Sequence, residues 1–185
     1  LWPFWCDTHV SGPVRDAGHP DGTTARDARG ATYAFYPEVA PVLAALRARA
    51  IPVAAASRTH APDIAEQLLR TLRVPGAPPP PPQQQSDSAS ETCSAGAAAP
   101  SAWSLFAHAE IYPRDKTAHM RRIRGESGVA YEDMLFFDDE SRNRVVEKEL
   151  GVLMWLVRDG LTRDEVDRGV RRWRERNRRT EVEEK

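Results

Sequence analysis

The chain of 185 residues, 41% hydrophobic and 29% charged, is long enough for one domain with a real core and too short for two large ones. A net charge of -1 and a pI near 6.6 argue against a dedicated nucleic-acid or membrane-surface protein and favour small-molecule or protein partners. Two cysteines, Cys6 and Cys93, make no disulfide framework, and no apolar run reaches the ~18 residues of a membrane span, so the expected compartment is the reducing cytoplasm.

The first five residues, LWPFW, are apolar and rigid, and the rings of Trp2, Phe4 and Trp5 need a pocket. Residues 6 to 37 carry Gly, Pro, Asp and Thr without lasting periodicity and read as a long loop with one short extended piece. Val39, Val42, Leu43 and Leu46 then fall at i, i+3, i+4 and i+7, predicting an amphipathic helix that ends near RARA. IPVAAAS, 51 to 57, predicts a short strand apolar on both faces. Pro62 stands where a first helical residue would, and Ile64, Ala65, Leu68, Leu69 and Leu72 continue a second helix.

Residues 73 to 101 combine a proline run, a glutamine run and Ser/Ala. Such a segment buries too little apolar area to offset its ordering entropy, and it reads as a disordered surface insertion without chemistry. Beyond it, Trp103, Leu105 and Phe106 are candidate core, AEIY a short strand, and DKTAHMRRIRGESG a basic helix. MLFFDD predicts a buried strand with an exposed acidic tip. SRNRVVEKEL predicts a helix with Ser141 as N-cap, GVLMWLV one more strand, and residues 162 to 177 a last helix with Val166, Val170 and Trp173 as its apolar stripe.

Alternating helices and strands imply right-handed crossovers and a mostly parallel sheet flanked by helices. In such a fold the ligand crevice lies past the carboxyl ends of the strands. Three polar groups are predicted there: Ser57 and Arg58 after VAAA, Lys116 after EIYPRD, and Asp138 with Asp139 after LFF. Two adjacent carboxylates about 4 Å apart repel by ~4 kcal/mol at an effective dielectric of about 20, and a cation relieves that. Hard oxygen ligands on a short loop suit Mg2+, which takes one or two carboxylates and completes its octahedron with water and phosphate oxygens. Successive residues of an extended chain face opposite ways, so one of the two aspartates can bind metal while the other orients Lys116 or a bound water. A Ser57 hydroxyl at a helix entry and a planar Arg58 fork suit phosphoryl oxygens.

Each group also has a plain structural reading. Acids before a helix complement its dipole, SRT before Pro62 serves as a helix cap, and a single lysine is usually solvated. The three in order, each at a strand end, carry more weight than any one alone.

With these residues the sequence resembles the magnesium-dependent phosphatase-1 type of the haloacid dehalogenase-like superfamily. The resemblance rests on LWPFWCDTHV, YPEVAPVLAALRARAIPVAAASRT, EIYPRDKTAH, FFDDESRN and GVLMWLVRDGLT, and covers nearly the whole chain apart from 73 to 101. It implies a doubly wound, three-layer parallel sheet in a single domain and an Asp-based, Mg2+-dependent phosphotransferase. Ser57 matches the hydroxyl residue of the second motif with Arg58 beside it, Lys116 the lysine of the third, and Asp138 and Asp139 the acidic pair of the fourth. Trp5 would wall the pocket beside the leaving group. The family's first motif, D-x-D-x-T, carries the nucleophile and the acid/base and directly precedes the equivalent of LWPFW. This chain contains no such motif, and Asp7 in CDTH has no partner aspartate two residues on. The expectation is therefore a fragment or truncated gene product whose central first strand is absent.

Three functions follow as expectations. The first is a Mg2+-dependent phosphomonoesterase acting through an aspartyl-phosphate on aryl, tyrosine or sugar phosphates. The second is an inactive fragment or pseudoenzyme that only binds phosphate and Mg2+. The third, RNA binding through RGVRRWRERNRR, is weakened by Asp164, Glu165, Asp167 and Glu175, which dilute the charge and favour a solvated helix. A cysteine phosphatase is set aside because neither cysteine has a phosphate-cradling loop, and the five histidines lack paired metal-ligand spacing.

Overall fold

Local pattern decides most elements in the computed structural model, which describes residues 1–78 and 98–177. In chain order they are α1 (Cys6–His9), β1 (Arg15–Asp16), β2 (Ala25–Arg26), β3 (Thr32–Tyr33), α2 (Val39–Ala48), β4 (Val53–Ser57) and α3 (Pro62–Thr71). β5 (Phe106–Ile111), α4 (Lys116–Ser127), β6 (Leu135–Asp138), α5 (Val145–Leu150), β7 (Leu153–Leu156) and α6 (Arg163–Arg176) follow. Single 3-10 turns occupy Ala102–Leu105, Tyr131–Asp133 and Ser141–Arg144.

The α/β class is borne out. β4 pairs in parallel with β5, Ser57 opposite Ile111, and β6 in parallel with β7, Asp138 opposite Leu156. Parallel neighbours need a crossover between them, and α3 and α5 lie in those crossovers. Among the described residues the two parallel pairs are not hydrogen-bonded to each other. Ser57 and Asp138 each stand as the last residue of a strand, so the polar groups gather at one end of both pairs.

Three apolar clusters hold the elements. Leu68 and Leu72 pack with Cys6, Val10 and Ala25, whereas Leu69, one residue on, packs with Val39, Leu43, Val74 and Leu105. Helix α3 thus faces two clusters at once, because residues at i, i+4 and at i+1 leave a helix in different directions. Met120 and Ile123 of α4 close the third cluster with Val146, Val152 and Met154, against Ala56 and Phe136. Full burial of a leucine stabilises by roughly 1.5–3 kcal/mol, so Leu68, Leu69 and Leu72, each 1% exposed or less, make α3 the chief tie between clusters.

The reading of 6 to 37 as loop is corrected. Helix α1 and an antiparallel ribbon β1-β2-β3 lie there, with Arg15 opposite Arg26 and Ala25 opposite Tyr33. The ribbon turns around the buried Asp27, whose carboxylate accepts the N–H groups of Ser11, Arg29 and Ala31 at 3.1, 2.9 and 2.9 Å. Burial pushes that carboxyl up in pKa, but these donors outweigh it and hold it below its usual range. Ser141 is not an α-helical N-cap; it opens a 3-10 turn with no side-chain cap bond, and α5 starts at Val145. Of the insertion expected over 73 to 101, residues 79 to 97 lie outside the described residues. Its ends are tied, with Arg73 bridging Ser101 and the Val74 N–H reaching Pro100 O at 2.9 Å.

Candidate functional site

The strand VAAAS stops at Ser57, and Pro62, fixed in φ and lacking an N–H, starts α3 without loss. Between them the Ser57 hydroxyl accepts the Thr59 N–H at 3.4 Å, a short turn that leaves Ser57 and Arg58 at the strand end. The Arg58 guanidinium lies 3.4 Å from the Glu140 carboxylate, which belongs to the loop after β6.

Lys116 is the first residue of α4, placed by Asp115, whose side chain caps the helix by accepting the Ala118 N–H at 2.8 Å. That cap turns the Lys116 side chain inward, where it is only 5% exposed. Its ammonium donates to the Ala56 carbonyl and stands 3.3 Å from Asp138 Oδ2. Asp138 is further held through Oδ1, which accepts the Glu140 N–H at 2.8 Å and the Asn143 Nδ2 at 2.9 Å. Asp139 alternates away from this network and is exposed.

Ser57, Arg58, Lys116 and Asp138 are therefore brought together, with Asp139 at the margin. Trp5 is not drawn in: its ring is 70% exposed and meets His9 edge-on at 6.2 Å. The pocket that the terminal aromatics need belongs to Trp2 and Phe4, stacked at 5.4 Å and continued by Phe35 and Tyr33. Helix α1 reaches the Ser57 loop through Asp7, whose carboxylate lies 3.6 Å from the His60 ring.

The electrostatics follow from this packing. Burial pushes the Lys116 ammonium down in pKa, and Asp138 opposes the shift. The hydrogen bond from Arg142 holds the Glu140 carboxyl below its usual range, helped by Arg58.

Among the described residues no group of three or more His, Cys, Asp or Glu forms a closed metal cage. The donor set is two neighbouring carboxylates, one tied to Lys116 and one exposed. That suits a hard divalent cation of the kind that keeps several waters and shares its remaining positions with phosphate oxygens. The exposed Asp139 is the carboxylate with capacity to spare.

Three further residues of this network lie within FFDDESRN and EIYPRDKTAH, where the motif reading gives them no role. Asn143 is 2% exposed and bridges Asp138 and Glu140; its signal is its place five residues after the last strand position. Glu140 joins the two strand ends through Arg58, and its signal is the third acid of DDE. His119, wholly buried, stands three residues after Lys116 on the same helix, the i, i+3 spacing that puts both on one face.

A parallel α/β chain with a Ser-Arg pair, a buried lysine and adjacent aspartates at its strand ends belongs to the phosphate-handling class of such folds by its chemistry. The comparisons with known proteins go further. The Acid Phosphatase family model matches residues 1–176, and the chain belongs to that family. It is 35% identical over 170 residues to the Magnesium-dependent phosphatase 1 of Homo sapiens, covering 92% of this chain and 79% of that protein. It is 36% identical over 152 residues to an HAD-like hydrolase superfamily protein of Schizosaccharomyces pombe, covering 82% of this chain and 76% of that one. The resemblance drawn from the motifs is borne out. No helix among the described residues is long and apolar enough to cross a membrane.

Proposed function

We propose that the protein is a Mg2+-dependent phosphomonoesterase working through an aspartyl-phosphate, and that this chain supplies its metal and phosphate side. The observation that carries the reading is the convergence of Ser57, Arg58, Lys116 and Asp138 at the carboxyl ends of two parallel strand pairs. The names of the two relatives, a magnesium-dependent phosphatase and a hydrolase, support it.

In this reading the Ser57 hydroxyl and the Arg58 fork bind phosphoryl oxygens, and Lys116 adds a compact positive charge against them. Asp139, with Asp138 beside it, would hold Mg2+, which when bound spreads the charge that develops on the transferring phosphoryl group. Lys116 holds Asp138, and Glu140 holds Arg58, so the two sides keep their spacing before substrate arrives. In the family that the motifs resemble, the attacking and acid/base aspartates lie on a D-x-D-x-T strand, and such a strand seated between β4 and β6 would complete a doubly wound, three-layer sheet. One feature supports that placement: among the described residues the two parallel strand pairs are not hydrogen-bonded to each other. Aryl, tyrosine or sugar phosphates are the substrate class.

The test is hydrolysis of p-nitrophenyl phosphate by a protein carrying a D-x-D-x-T strand ahead of Leu1. Mg2+-dependent turnover that disappears when the first aspartate becomes asparagine, together with weakened Mg2+ binding in Asp139→Asn, is the expected result. Phosphate binding without any turnover in that protein would replace the enzyme by a phosphate binder.

A further inference from the structure

His119 has an arrangement that no motif describes. Its side chain is wholly buried, and each ring nitrogen faces only main-chain carbonyl oxygens in the contacts it makes. Nδ1 lies 2.7 Å from Asp115 O; Nε2 lies 2.9 Å from Ser57 O and 3.1 Å from Tyr112 O. A carbonyl oxygen has no proton to give, so each of these contacts needs a proton on the histidine side. The Nε2–H, set between the Ser57 and Tyr112 carbonyls, is the donor that reaches the end of β4.

The Tyr112 ring stacks on the imidazole, 4.2 Å between centroids and 9° from parallel, and fixes the plane in which its nitrogens point.

What His119 holds is the end of β4. Lys116 donates to the Ala56 carbonyl, and His119, one turn on, donates to the next carbonyl, that of Ser57. The Ser57 carbonyl also receives the Tyr112 N–H at 3.0 Å. A peptide whose oxygen accepts two donors has its own N–H polarised, because linked hydrogen bonds strengthen one another. The N–H of that peptide belongs to Arg58, beside the Ser57 hydroxyl.

We propose that His119 is the positioning residue for the Ser57–Arg58 peptide, its Nε2–H holding the Ser57 carbonyl so that the Ser57 hydroxyl and a polarised Arg58 N–H face one phosphate oxygen. The inference rests on the phosphate-binding reading above and assigns a role to a residue that the motif reading leaves without one. Its effect passes through Ser57 and Arg58 without contact to substrate.

Two measurements on the 185-residue chain test it. Nitrogen NMR of the 15N-histidine-labelled protein, with His119 assigned by its loss in His119→Gln, should show the ring proton on Nε2 of His119. An Nε2 without a proton overturns the bond to the Ser57 carbonyl. Calorimetry with inorganic phosphate in the presence of Mg2+ should show His119→Gln binding up to about 10-fold more weakly, the loss expected for one supporting hydrogen bond. Affinity for Mg2+ alone should not change, whereas general loss of structure would lower both. If the unaltered chain binds phosphate and His119→Gln binds it equally well, the positioning role falls and the phosphate site stands. If the unaltered chain binds no phosphate, both fall together.

Discussion

Lys116 Nζ stands 3.3 Å from Asp138 Oδ2, and the two side chains are 6% and 8% exposed. Lys116 begins α4, and Asp138 ends β6. The same ammonium reaches the Ala56 carbonyl on β4, so one side chain ties the two parallel pairs. Removing one member of a buried pair leaves the other charge without its partner and typically costs about 3–5 kcal/mol. Lys116→Met, which keeps the apolar stem, should therefore lower the unfolding free energy in urea by about that much. Lys116→Met combined with Asp138→Asn should cost clearly less than the two single changes added, since the isolated charge is gone. A cost under about 1 kcal/mol for Lys116→Met would show an exposed, screened pair instead.

That pair also shows how far the sequence could be read. The 3.6-residue period of α2 and α3 and the apolar runs of β4 and β6 are local signals, and they place Ser57 and Asp138 at strand ends, while Lys116 opens α4. The ribbon of β1, β2 and β3 left no such trace, because two-residue strands are too short for alternation and are organised by Asp27 through backbone donors. Ser141 looked like a cap because its residue type is right, yet Asp138 and Asn143 shape that loop into a 3-10 turn. His119 was silent for a different reason: its partners are carbonyl oxygens, which every residue carries. The aromatic opening was legible as a group but not ring by ring, since packing against Phe35 and Tyr33 takes Trp2 and Phe4 and leaves Trp5 outside.

Two helical glycines give a paired prediction of opposite sign. Replacing glycine by alanine in a helix interior stabilises by about 0.8–1.0 kcal/mol through backbone entropy. At Gly125 in α4 an added Cβ meets nothing within 4 Å, so Gly125→Ala should show close to that full gain. At Gly169 in α6 the Cβ would fall 2.8 Å from Phe137 Cε1 and 2.9 Å from its Cζ, where α6 packs on β6. Overpacking of this kind costs about 1–3 kcal/mol, which exceeds the entropic gain. Gly169→Ala should therefore lower the melting temperature while Gly125→Ala raises it, both read by thermal denaturation. A stabilised Gly169→Ala would mean that α6 rides free of the sheet.

The last prediction concerns acid. Asp115 caps α4 and so sets the entry of Lys116 and His119 into the site. Bonds from the Thr117 hydroxyl at 2.7 Å and the Ala118 N–H at 2.8 Å hold its carboxyl below the ordinary value of 3.8, against the upward push of burial. A carboxyl lowered on folding stabilises the native state fully above its unfolded pKa and loses that contribution as pH falls through the folded one. Stability owed to Asp115 is thus intact at neutral pH and drains away below about pH 3.8. Asp115→Asn keeps an acceptor of nearly equal capping strength but has no proton to take up. It should match the parent protein at neutral pH to within a few tenths of a kcal/mol and show a shallower fall of melting temperature in acid. Asp27 and Glu140, also held low, keep the remaining slope from vanishing. Asp115→Ala should instead lose about 1 kcal/mol at neutral pH, the usual worth of an N-cap. Parallel acid curves for Asp115→Asn and the parent would show that the cap does not titrate with folding.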